Sequence, residues 1–432
     1  MNQKIFNIII GSLIVLIIII GGIWFFLSFS GSNSGGIQQV VQNLFPFGTA
    51  NDIQPGTAPG FSSGTTTFVG TQGEGSLTKI TTTLRQLTGD PVSGAGFAML
   101  GTSTTASSSP KVFFVEKTTG HIIETDPDTG IKKTITNTTL PQVRDSVFSP
   151  DGKSVVLRYL RDDEVTMESY LISIPQMAFE DVAERPLKGS FLPVNISGLF
   201  FSRAGDKLWF LTKGTSGSTI TEKNITKGTE SRVFSSPFSE WLFEITNSEA
   251  VFLSPKPSYA VKGYLFGGAS QNNNLTKLLE GMGLTSKISP SGSFSLVGTV
   301  VGGTPDLSLF YLKTGEVTNL GIKTLPEKCV WDPKEKFALC AVPKDIPAAK
   351  TGYPDDWYRG GVSFSDNFYI VNTEPTSTTP LSPLNYAAQK EVSLDITSPV
   401  INQDGTHLLF VDKKTSTPWL LYITPLIENV GD

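Results

Sequence analysis

Between Tyr353 and Arg359 the chain brings together three large aromatics, two carboxylates and a guanidinium: Tyr353, Asp355, Asp356, Trp357, Tyr358 and Arg359, with Pro354 among them and Gly360-Gly361 following. These side chains suit recognition better than bond-breaking. Aromatics and Arg dominate binding hot spots, and functional residues often ride on loops above a rigid scaffold. This segment is therefore the best candidate for a binding site. The competing reading is that Trp357 and Tyr358 merely cover the edge or mouth of whatever lies beneath.

Other chemistries leave fainter traces. His121 and His407 are the only histidines, and neither has Cys or carboxylate neighbours at metal-ligand spacing. No Gly-x-Ser-x-Gly elbow and no phosphate-binding Gly loop occurs. Asp126, Asp128 and Gly130 resemble the opening of a calcium loop, but the rest of that pattern is missing and an ordinary turn accounts for them. No cofactor or metal is expected. Carboxylate acid–base chemistry would need paired Asp or Glu facing one another; Asp145, Glu244 and Asp332 are the candidates.

Cys329 and Cys340 are the only cysteines. They sit at about equal distances from the centre of a predicted hairpin turn at Lys334-Glu335. Opposed residues in an antiparallel pair lie about 4.5–5.5 Å apart at Cα, within disulfide reach. A disulfide is the expectation, and two buried thiols the alternative.

What must position these residues is legible in a recurring turn. Val147 to Leu157 reads strand, Ser149-Pro150-Asp151-Gly152, strand. Pro presets the first corner, Asp bonds back to nearby backbone, and Gly takes the positive φ that closes the turn. Degenerate copies follow around Phe201, Ile245, Ile288, Trp331 and Ile401, at gaps of 53, 44, 43, 43 and 70 residues from Phe148 onward. A period near 40 to 50 residues with several short strands per unit is the signature of a β-propeller. The one wide gap implies an insertion, and it contains Tyr353 to Arg359.

The Ser-Pro-Asp-Gly-Lys turn followed by an apolar strand resembles the WD-like repeat of TolB-type propellers. That resemblance covers the hairpin of each unit and implies an all-β fold; it carries no function, because propellers host enzymes, scaffolds and ligand binders alike. Seven units can be placed, the first with its inner strand at Gly96–Leu100. The sixth has an unclear outer strand past Thr379, and the seventh lacks one altogether. A spare strand at Leu77–Leu87 precedes the first unit. Seven blades closed by this amino-terminal strand are expected, with six blades plus an extra sheet as the alternative.

Residues 77–432 thus form the propeller. In residues 1–30 no charge occurs from Ile5 to Phe29, long enough to span a hydrocarbon core of about 30 Å. A single-pass transmembrane anchor is expected. Lys4 precedes it and no Lys or Arg follows until Lys79, which puts the amino terminus in the cytoplasm and the propeller outside, in the periplasm or at the cell surface. Residues 31–76 are rich in Gly, Ser, Thr and Pro, a flexible linker. A net charge of −5 without basic runs gives no reason to expect nucleic acid. The function expected is that of a non-catalytic binding or scaffold propeller, its partner an envelope protein or surface glycan. The alternative is a glycosidase- or lyase-like propeller enzyme with carboxylates lining the channel.

Overall fold

The computed structural model describes residues 84–98, 110–174, 188–269, 275–374, 376–381 and 392–423. Ile5–Phe29, the linker and Leu77–Thr83 lie outside the described residues. Among the described residues, no helix is long and apolar enough to cross a membrane.

The described strands form seven four-stranded antiparallel sheets. Blade one is β2 (Val92–Phe97), β3 (Val112–Glu116), β4 (Ile122–Thr125) and β5 (Lys132–Thr134). Blade two is β6 (Val143–Phe148), β7 (Ser154–Leu160), β8 (Met167–Ser173) and β9 (Gly189–Phe191). Blade three comprises β10 (Ile196–Phe201), β11 (Lys207–Gly214), β12 (Gly217–Asn224) and β13 (Glu230–Ser236). Blade four comprises β14 (Trp241–Ile245), β15 (Val251–Pro255), β16 (Lys262–Ala269) and β17 (Thr276–Met282). In blade five these are β18 (Thr285–Ile288), β19 (Phe294–Val301), β20 (Thr304–Tyr311) and β21 (Val317–Asn319). Blade six has β22 (Cys329–Trp331), β23 (Phe337–Pro343), β24 (Asp366–Thr373) and β25 (Thr376–Leu381). Blade seven has β26 (Ile396–Ile401), β27 (His407–Asp412) and β28 (Thr417–Tyr422). Its fourth strand is β1 (Leu84–Gln86), which pairs Leu84 with Leu421 and Gln86 with Trp419. The expected closure of the ring by the amino-terminal strand is present.

The second strand of each blade shows why the sheets stack. A strand covered on one face alternates buried and exposed residues; one covered on both does not. Val155, Val156 and Leu157 of β7 are all buried, as are Leu208 through Leu211 of β11 and Leu408 through Val411 of β27. Each apolar cluster bridges two neighbouring blades. Phe113 and Val115 meet Val155 and Leu157 between blades one and two, and Leu339 and Phe368 meet Leu408 and Phe410 between six and seven.

The repeated turn has one geometry wherever it is described. The first residue (Ser149, Ser202, Thr246, Ser289, Asp332 or Asn402) accepts from the backbone N–H three positions on, at 2.8–3.0 Å. That later position has positive φ and is Gly152, Gly205, Glu249, Gly292, Glu335 or Gly405. In five of the six the side-chain oxygen of the first residue also takes a backbone N–H from the returning segment, as Ser149 Oγ does from Ser154 at 2.9 Å and Ser202 Oγ from Lys207 at 3.0 Å; Asp332 takes Lys334 N–H within its turn instead. Successive turns touch. A Cβ on Gly205 would lie 2.2 Å from the carboxyl carbon of Asp151 in the preceding blade.

Two strand boundaries differ from the sequence expectation. The inner strand of blade one is Val92–Phe97 rather than Gly96–Leu100, of which Met99 and Leu100 lie outside the described residues. Gly94 and Gly96 belong inside it because they let blade one approach blade two: a Cβ on Gly94 would stand 2.1 Å from Ser146 O, and one on Gly96 2.5 Å from Phe148 Cβ. The sixth blade's outer strand starts earlier than expected, at Thr376. Cys329 and Cys340 are directly opposed across β22 and β23 and form the expected disulfide.

Gly205→Ala should destabilise the fold by about 1–3 kcal/mol, since it combines a left-handed backbone penalty with overpacking. Urea denaturation of wild type and variant measures it; an unchanged midpoint would show that the rim of turns is loose.

Candidate functional site

The insertion leaves β23 and returns at β24, on the end of the ring opposite the repeated turns. Pro and Gly keep it from forming more than one helical turn, α1 (Asp355–Tyr358). It builds a small core of its own from Leu325, Tyr353, Trp357, Val362 and Phe364. Phe364 stacks on Tyr353 at 5.7 Å and on Trp357 at 6.3 Å between ring centroids.

The six residues nominated from sequence divide into two groups. Tyr353 and Trp357 are 1% and 4% exposed. Asp355 Oδ2 accepts the Tyr259 N–H of blade four at 2.6 Å, and Asp356 Oδ2 accepts the Thr351 N–H at 2.8 Å. That backbone hydrogen bond holds the Asp356 carboxyl below its ordinary range. These four residues support the insertion. Tyr358 and Arg359 are instead exposed at its surface, Arg359 only loosely tied to Asp355 at 3.5 Å.

Beneath Trp357 lies a charge network unforeseen in the sequence. Lys328 Nζ is 2.7 Å from both Asp366 Oδ2 and Asp395 Oδ1, and all three side chains are fully buried. The same ammonium donates to Ile396 O at 2.8 Å and lies 5.0 and 5.1 Å from the Trp357 and Phe364 ring centroids. Asp395 also accepts the Trp357 indole N–H, at 3.1 and 3.2 Å to its two oxygens, and the Phe364 backbone N–H at 3.0 Å. Lys413 stands 4.0 Å over the Trp357 ring and donates to its carbonyl. Two cations thus meet two carboxyls. Burial nevertheless pushes Asp366 up to about 6, against the pull of Lys328.

The network borders the central channel, where a second group of polar residues converges. Glu244 on β14, Lys287 on β18 and Glu327, in the 3-10 turn Pro326–Lys328, line a cavity of about 440 Å³ together with Trp357 and Tyr358. Glu244 accepts the Ile288 N–H at 3.0 Å, and burial raises its carboxyl from 4.5 to about 7, with Lys287 opposing and Glu327 reinforcing. Burial also raises Glu327, which accepts a hydrogen bond from the Tyr358 hydroxyl. Of the three carboxylates nominated from sequence, Glu244 alone joins such a pair. Asp145 is bound by Arg158 through Nε at 2.8 Å, and Asp332 caps its turn by accepting Lys334 N–H at 3.0 Å. Glu327 was missed because it precedes a strand instead of lying on one. Among the described residues no cluster of three His, Cys, Asp or Glu stands ready for a metal ion.

Lys328→Met would leave Asp366 and Asp395 buried beside an apolar group. A loss of about 3–5 kcal/mol in chemical denaturation is expected, and a loss below about 1 kcal/mol would show that the network is dispensable. Glu244 gives a pH signature. The folded protein holds its proton up to about 7 and the unfolded chain only to 4.5, so the stabilisation is complete below the lower value and lost as pH rises through the upper. Glu244→Gln should therefore raise the melting temperature at about pH 8 and leave it nearly unchanged at about pH 4. Equal effects at both would contradict the raised carboxyl.

No protein-family model matches the chain, and no curated protein matches it. Solved structures do. An oligogalacturonate lyase from Vibrio parahaemolyticus is 10% identical with a TM-score of 0.50, over 80% of this chain and 96% of that one. TolB from Acinetobacter baumannii is 12% identical with a TM-score of 0.40; this chain covers 64% of it, less than two thirds of its length, with 77% of this chain aligned. The β-propeller domain of the Trilobed protease from Pyrococcus furiosus is 10% identical at 0.47, over 78% and 97% of the two chains. At such identities the likeness is one of fold alone, and the seven four-stranded sheets themselves make the chain a seven-bladed β-propeller.

Proposed function

We propose that this chain is a non-catalytic binding or scaffold propeller, tethered by an amino-terminal membrane anchor with its terminus in the cytoplasm and the ring outside. Its partner is an envelope protein or surface glycan, met at the channel mouth that carries the insertion. One observation supports this above others: Tyr353, Asp355, Asp356 and Trp357 are spent on holding the insertion rigid, while Tyr358 and Arg359 face outward from it. Tyr358, held before binding by its hydrogen bond to Glu327, loses little entropy on contact, and Arg359 beside it adds a guanidinium. The uncharged stretch Ile5–Phe29 and the Gly/Ser/Thr/Pro-rich segment after it support the tether.

A second reading has one observation in its favour. Glu244 and Glu327 are two carboxyls with raised proton affinity in one cavity, as a propeller glycosidase or lyase would need. Under that reading Glu244→Gln abolishes turnover of a polysaccharide; under the first it leaves partner binding intact.

A photo-crosslinking residue placed at Tyr358 or Arg359, and separately at the exposed outer-strand Val317, separates contact from background in native membranes. A discrete adduct from the first two positions and none from Val317 is expected. No adduct, or the same adduct from all three, would refute the binding face.

A further inference from the structure

The channel widens toward the face of the repeated turns into a second cavity of about 730 Å³, within the roughly 300–1,000 Å³ of ordinary ligand sites. Phe97, Phe148, Phe200 and Val400 are among its walls, and Lys287 and Ser398 border both this cavity and the smaller one, so they mark the waist of the channel. Among the described residues the Lys287 ammonium has no ion pair within 4.0 Å and no hydrogen bond, and only the Glu244 and Glu327 carboxyls act on it at longer range. At the same waist, β26 is interrupted by a bulge between Thr397 and Val400, with Ser398 at φ 50°. Left-handed backbone at a non-glycine residue costs of order 1 kcal/mol or more and gathers at ligand sites. Here it brings to the waist a hydroxyl without a partner among the described residues.

We propose that this larger cavity receives the carboxyl-terminal end of a polypeptide with apolar final side chains, its terminal carboxylate held by Lys287 and Ser398. This goes beyond the binding face assigned above, since it lies at the other mouth and uses none of the insertion's residues. The aromatic walls suit apolar side chains. The innermost strands β2, β6, β10 and β26 are each the edge of their sheet, so backbone donors and acceptors face the channel and can pair with peptide amides. An acyl chain has nothing to offer them. Glu244 and Glu327 act on the ammonium from the smaller cavity, and burial raises both carboxyls. Asp145 and Asp404 also line the larger cavity, Asp145 bound by Arg158.

Calorimetric titration of the full chain in nanodiscs, with empty nanodiscs as the blank, tests this. The probes are acetyl-Gly-Val-Leu-Phe with a free carboxylate, the same peptide as its amide, and decanoate. The free acid should bind about ten- to a hundredfold tighter than the amide, the range of one charge-assisted hydrogen bond. Lys287→Gln should erase that margin, and Lys287→Arg should keep it. Equal binding of acid and amide, a margin that survives Lys287→Gln, or no binding of either peptide would overturn the proposal. Decanoate binding as tightly as the free peptide would overturn it too, in favour of a lipid site.

Discussion

A four-stranded sheet of short strands has two apolar faces and too little area to cover either one. In this chain every blade meets that constraint the same way, with both faces pressed against neighbours. The runs of consecutive buried residues in β7, β11 and β27 follow from it. In this chain the last sheet is completed by β1, which joins the two ends of the ring. Leu84 is 4% exposed in the cluster shared by blades six and seven, a burial worth about 2 kcal/mol. The strand thus removes an exposed edge and fills a core position together.

A ring of alternating apolar layers fixes the positions of its connections with little further help. The turns on one face form a rim because each carries the same backbone hydrogen bond, and the residue at positive φ in one packs against the side chains of its neighbour. Two of the six use Glu where the others use Gly. Glu249 pairs with Lys207 at 2.6 Å and Glu335 accepts from Ser291; both contacts cross to an adjacent blade and offset the backbone penalty of about 1 kcal/mol.

On the opposite face the solution is electrostatic. Lys328 precedes the disulfide-bonded Cys329, Asp366 opens β24 and Asp395 precedes β26, so one buried network joins blade six, blade seven and the insertion. Buried pairs seldom add net stability over apolar packing, but they penalise every arrangement in which a charge lacks its partner. Trp357 is drawn into place by the Asp395 carboxylate and the two ammonium groups, and Tyr358, its chain neighbour, is thereby set against Glu327 at the channel. The exposed tip of the insertion and the channel carboxyls are thus joined through two adjacent side chains.

The repeat, the blade count, the closing strand and the disulfide were all legible in the sequence, because each depends on neighbours a few residues apart or on a period. Ser149 to Ser154 is one turn, and Cys329 and Cys340 are 11 residues apart around another. The insertion was legible as a gap in the period, and its aromatic content as a reason to look there. Its division into support and exposed tip was not, since Tyr353 and Tyr358 are alike in sequence and differ only in what surrounds them. Lys328 and Asp395 are 67 residues apart, and Glu244, Lys287 and Glu327 come from three successive units. Local propensity determines turns and strands, whereas the meeting of distant charges depends on how the closed ring brings its inner strands and connections together, and that only the tertiary structure decides.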